Sequence, residues 1–102
     1  MKINFNAKFK TLKDEMVKDE KGKDIILYDI CSNALLFNEQ NEKVEGKEKV
    51  RRFKLAQKIY GVKEPVSVEA EDVVLIKECV AKLYSTLIVG QAWELLESNQ
   101  EK

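Results

Sequence analysis

Lys47, Arg51, Lys54 and Lys58 stand at i, i+4, i+7 and i+11, a spacing that places all four along one face of a helix. Spread over roughly 16 Å of helix, such a row can meet phosphates, engage an acidic protein surface, or stand in water as the polar side of an amphipathic helix. The row belongs to a wider division of charge. Residues 1–63 carry fifteen Lys and Arg against ten Asp and Glu, and residues 64–102 carry three against eight, so a net charge of zero conceals +5 and −5. That asymmetry bears on partners and association far more than on fold, although mutual attraction of the two halves also accounts for it. Bare nucleic-acid-binding domains are usually basic overall, and no helix-turn-helix, zinc-finger or aromatic ribonucleoprotein pattern is present. A solvated face is the first reading of the row itself; as a binding surface it is read as meeting a protein partner, with nucleic acid bound by the basic face of helix 47–60 as the alternative. Trp93, the only tryptophan, is a further candidate contact because indole is enriched at interface hot spots. At helical spacing near Leu96, core packing is nonetheless the expected role.

Other chemistry is poorly provided for. The chain has no histidine, which removes the commonest general base, proton shuttle and metal ligand near neutral pH. Ser32, Ser67, Ser85 and Ser98 lie in no nucleophile elbow, and Gly22, Gly46, Gly61 and Gly90 are isolated, so no phosphate-cradling loop exists. Asp14, Glu15, Asp19, Glu20 and Asp24 crowd one region, but Lys13, Lys18, Lys21 and Lys23 are interleaved and the spacing is not that of an EF-hand. A solvated turn of mixed charge is the better reading. Cys31 and Cys79 form no Cys-x-x-Cys motif, sit in apolar surroundings, and read as buried thiols of a reducing compartment. The expectation is a protein that is not an enzyme and uses no cofactor or metal.

The elements that would position the cationic row follow from periodicity. Residues 1–102 are the size of one domain, and a chain this long buries roughly two-thirds of its unfolded surface, enough for a core without staples. Ile3, Phe5, Ala7 and Phe9 alternate with polar residues, the period of a half-buried strand. Asp19–Lys23 is a turn signal in which Gly22 supplies positive φ, and Asp24–Tyr28 offers a second strand. Residues 2–27 thus read as a hairpin or short meander. Phe5 and Phe9 would face the core or a partner, and an edge strand there would permit sheet extension across a homodimer.

From Tyr28 the period becomes helical. Ile30, Cys31, Ala34, Leu35 and Phe37 predict a helix ending near Asn38, followed by a polar connection to Gly46. Lys47–Tyr60 is the clearest helix; Val50, Phe53, Ala56, Gln57 and Tyr60 share the side expected to face the core, and Gly61 stops it. Val66 and Val68 offer a short third strand. Ser67 or Glu69 would cap a helix carrying Val73, Ile76, Val80 and Leu83, with Glu71 and Asp72 favourably placed in its first turn. Leu87–Glu97 forms the last helix, in which Gly90 costs about 1 kcal/mol against Ala and invites close approach of another helix. Ser98–Lys102 should fray. The expected fold is α+β, an N-terminal β-hairpin with a short third strand, packed on four helices.

The order of the alternating strand, the helix "SNALLF", the charged helix "KEKVRRFKLAQKIYG" and the closing "DVVLIKECVAKLYSTLIVGQAWELLE" resembles a group of small proteins of tailed bacteriophages and prophages. The strongest part is "VGQAW" followed by Leu95 and Leu96. The resemblance implies a phage or prophage origin and assigns no role to any residue. No apolar leader is expected in Met1–Lys10, and the longest uncharged run, Leu83–Trp93, is about half of a membrane span. The combined expectation is a cytoplasmic accessory protein that binds a phage or host protein, as an assembly factor or as an inhibitor of a host system.

Overall fold

The computed structural model describes residues 1–37 and 43–98, together with the backbone of 100–101. It is an α+β fold. In chain order the elements are β1 (Lys2–Ile3), α1 (Leu27–Leu36), α2 (Gly46–Ile59), β2 (Val66–Ser67), α3 (Ala70–Leu83), α4 (Thr86–Ser98) and β3 (Gln100–Glu101).

The N-terminal alternation does what its period demands. Ile3, Phe5 and Phe9 have no exposed surface, while Lys2, Asn6, Lys8 and Lys10 face water. Three extended pieces then close on one another as a short meander. Antiparallel bridges join Lys10 to Met16, Lys18 to Asp24 and Lys8 to Ile26. The Phe9 N–H donates to the Ile25 carbonyl (3.3 Å), the Ile25 N–H to Val17 (3.0 Å), and the Val17 N–H back to Phe9 (2.9 Å), a closed ring of three backbone bonds. Its two reversals use left-handed backbone at Asp14 (φ 65°) and at Gly22 (φ 80°). The Asp19 carboxylate accepts the Lys21 and Lys23 N–H groups across the second reversal, so that acid shapes a turn, as Asn and Asp commonly do.

The same segment starts α1. Ile26 is a poor capping residue, yet the first two helical N–H groups, of Leu27 and Tyr28, donate to the carbonyls of Ala7 (2.7 Å) and Phe5 (3.0 Å). Orphan donors that a side chain would normally satisfy are taken by a neighbouring strand. Helix α1 is buried on most sides by Leu27, Ile30, Cys31, Ala34 and Leu35, and it packs against α2, α3 and α4. Its one buried hydroxyl, Ser32, donates to the Tyr28 carbonyl at 2.6 Å, which removes the penalty of burying it. Cys31 and Cys79 are buried thiols with no disulfide between them.

Residues 66–67 form the short third strand that the Val66/Val68 alternation predicts, antiparallel to β1. One expectation is corrected here. Residues 100–101 do not fray, because the backbone of β3 pairs with the other side of β1, giving the order β2-β1-β3. Consequently Lys2–Ile3 has a strand on both sides, while residues 99 and 102 lie outside the described residues. Most of the polar connection from Asn38 to Gly46 lies outside the described residues. Phe37 caps α1 just short of it, and α3 begins after Glu69, whose N–H donates to the Asp72 carboxylate at 3.0 Å. Among the described residues no helix is long and apolar enough to cross a membrane.

Candidate functional site: the exposed faces of the second helix

Helix α2 turns three faces to three environments. Leu55, Ala56 and Ile59 enter the core, joined on the same arc by Arg52, whose side chain is 11% exposed and lies 3.7 Å from Glu48. Lys47, Arg51, Lys54 and Lys58 form the second face, all exposed. Val50, Phe53, Gln57 and the capping Tyr60 form the third. At about 100° of rotation per residue the three rows are centred roughly a third of a turn apart.

The apolar row is a correction. Val50, Phe53 and Tyr60 do not point into the core; they are 52%, 51% and 59% exposed, and of that predicted side only Ala56 is buried. The helix carries more apolar residues than one face can hold, and the arc containing Leu55 and Ile59 is the one that fits α1. Leu55 and Ile59 join Ala34 and Leu35 of α1 in the one buried core, so the second apolar arc is left outward. Leu36 and Phe37 at the end of α1 are also exposed. With Phe53, Gln57 and Tyr60 they border two adjoining depressions between the helices, the larger of about 520 Å³.

All four cations of the predicted row line one shallow cleft of about 410 Å³, beside Val50 and Asp72. Their roles differ. Arg51 donates to the Asp72 carboxylate at 3.3 Å and lies 3.6 Å from Glu48, so it links α2 to the start of α3. Lys47, Lys54 and Lys58 make no ion pair among the described residues. The basic row thus contains one structural cation and three that stand in water. Val50 sits at the boundary, touching both the cationic cleft and the apolar row.

Trp93 is not part of this surface. It lies on α4, 39% exposed, and its indole N–H donates to the Lys77 carbonyl of α3 at 3.2 Å. The Lys77 ammonium sits 5.3 Å from the ring centroid and 2.7 Å from Glu97. These contacts staple α4 to α3 from outside the core, and the ring lines a separate small depression with Ala81, Tyr84 and Gly90. Gly90 is open: a Cβ there would meet nothing within 4 Å, so no helix approaches it closely.

Burial pushes the Cys31 thiol far above its ordinary value, so it stays protonated and unreactive at neutral pH. Among the described residues no three His, Cys, Asp or Glu gather where they could hold a metal ion. Asp14 instead lies 3.3 Å from Lys10 and Asp24 lies 3.1 Å from Lys8, which is the mixed-charge surface that the interleaved lysines suggest.

Sequence reasoning located the cationic row and missed the exposed apolar row beside it. The signal was present, since Leu55 and Ile59 make a second apolar arc about 160° from Val50, Phe53, Gln57 and Tyr60. No family model matches the chain, and no curated protein and no solved structure matches it either.

Proposed function

We propose that this chain is a non-enzymatic accessory protein, of phage or prophage type and cytoplasmic, that works by binding another protein through α2. One observation carries the reading: Val50, Phe53 and Tyr60 stand more than half exposed directly beside Lys47, Lys54 and Lys58. Isolated surface apolar residues are ordinary, but a contiguous row extended by Leu36 and Phe37 of α1 is what interaction sites look like. The lysine row supplies steering toward an acidic surface, and the apolar row supplies the area that is removed from water on contact. Phosphate binding alone would leave the apolar row without a role. An assembly factor and an inhibitor of a host system would use the same surface.

The experiment is affinity capture of the tagged protein from infected or lysogenic cells, comparing wild type with Phe53→Ser and with the triple variant K47Q/K54Q/K58Q. A protein retained by wild type, lost with Phe53→Ser and captured more slowly by the triple variant is the expected result. Tight, salt-sensitive binding of wild type to random duplex DNA at physiological ionic strength, removed by the triple variant, would overturn it in favour of nucleic acid.

A further inference from the structure

All three tyrosines of the chain meet at one cavity, on a different side of the molecule from the cationic row. Tyr28 comes from the first turn of α1, Tyr60 caps the end of α2 and Tyr84 caps the end of α3. The cavity measures about 880 Å³, and Asp29 and Asn33 of α1 share its wall. The Tyr28 and Tyr60 rings pack edge to face, with centroids 5.6 Å apart and planes at 71°. We propose that this cavity binds an organic cation, an ammonium or guanidinium group carried on a short apolar stem.

Four features point to that class. Tyrosine faces attract cations through the ring quadrupole, and a cage of aromatic rings is the usual receptor for ammonium groups. Asp29 supplies a carboxylate at the wall. Helices α2 and α3 both end here, and helix C-termini carry partial negative charge. The positive end of α1 is also nearby, but its first N–H groups are already occupied by the Phe5 and Ala7 carbonyls. Ile25 and Ile30 give the cavity an apolar side for a stem.

The existing charges leave room for a further cation. Lys8 at the rim is held by Asp24 at 3.1 Å, and Asp19 and Lys23 complete the charged lining. Burial, followed by the proximity of Asp19, holds the Asp29 carboxyl above its ordinary value against a hydrogen bond from the Ile26 backbone. The Tyr84 hydroxyl is hydrogen-bonded with Asn33 and raised by burial, with Asp29 adding to the rise. Burial is the larger cause for both groups, and the neighbouring acids add a smaller part that a bound cation would offset.

The cation could belong to a free amine or to a Lys or Arg side chain of another protein, and the test separates these. Amide shifts of isotopically labelled full-length protein are followed on addition of n-butylammonium, of a short arginine-containing peptide, and of butyrate as the anionic control. Saturating shifts at Asp29, Asn33 and Tyr84 in the millimolar range or below are expected with the cations, together with a fall in the Asp29 pKa. Asp29→Asn should weaken binding by about tenfold, and Tyr28→Leu should weaken it without touching the carboxylate. Tighter binding of the peptide assigns the site to a protein side chain, and tighter binding of butylammonium assigns it to a small amine. No saturation with either cation, equal binding of butyrate, or affinity unchanged in both variants would overturn the proposal. None of these outcomes depends on Phe53 or on the lysine row that test the α2 reading, although Tyr60 and Asn33 border both surfaces.

Discussion

The side-chain amide of Gln91 grips both backbone groups of Lys10. Its Oε1 accepts the Lys10 N–H at 2.9 Å, and its Nε2 donates to the Lys10 carbonyl. A glutamine on α4 thereby does for one residue what a neighbouring strand would do, and it fixes the last helix to the N-terminal meander. Gln91, the following Ala92 with no exposed surface, and Trp93 stapled to Lys77 give the "VGQAW" segment a structural account.

Gln91→Ala should therefore lower stability by about 1 kcal/mol, the size of a hydrogen bond at a partly hydrated site. Gln91→Glu should recover little, because it removes the donor and sets a carboxylate near the Lys10 carbonyl. Urea midpoints check this, and a midpoint equal to wild type for Gln91→Ala would show that the pairing contributes nothing.

Gly90→Ala should stabilise the protein by about 0.5–1 kcal/mol. The residue lies within α4, a Cβ meets no atom within 4 Å, and a glycine in a helix interior costs that much against alanine. Thermal melts decide it. A loss of stability would mean that the open position is occupied by something in solution.

The three faces of α2 should respond differently to substitution. Ile59→Ala, trimming a side chain with no exposure, should cost about 2–5 kcal/mol. Val50→Ser and the single changes of Lys47, Lys54 and Lys58 to Gln should each stay within about 0.5 kcal/mol. Arg51→Gln should cost no more than about 1 kcal/mol, as its partners are partly hydrated. Denaturant unfolding of the set reads the faces directly, and a Val50→Ser cost comparable to Ile59→Ala would place the apolar row in the core after all.

Asp29 should give stability a distinctive dependence on pH. Its carboxyl is raised by burial above the ordinary 3.8, so the native state holds that proton more firmly than the unfolded chain. The favourable contribution is complete below 3.8 and is lost as pH rises through the native value. Asp29→Asn should accordingly be more stable than wild type at neutral pH, with the advantage shrinking as pH falls through the native value toward 3.8. An advantage that grows on acidification would reverse the sign.

Much of this architecture is legible in the chain itself. The two-residue alternation of Ile3, Phe5 and Phe9, the positive-φ turn at Gly22, the stop at Gly61 and the acids opening α3 are all local, because backbone sterics and neighbouring side chains decide them within a few residues. The cationic row is equally local, since the helix repeat alone aligns Lys47, Arg51, Lys54 and Lys58. Tertiary structure decided what lies farther apart. Two apolar arcs on α2 compete for one core, and only the shape offered by α1 selects Leu55 and Ile59 over Val50 and Phe53. Strand β1 is central because both β2 and the far end of the chain reach it. Tyr28, Tyr60 and Tyr84 share a cavity although no sequence period relates them, because packing α2 and α3 against α1 brings their two C-termini to the start of that helix.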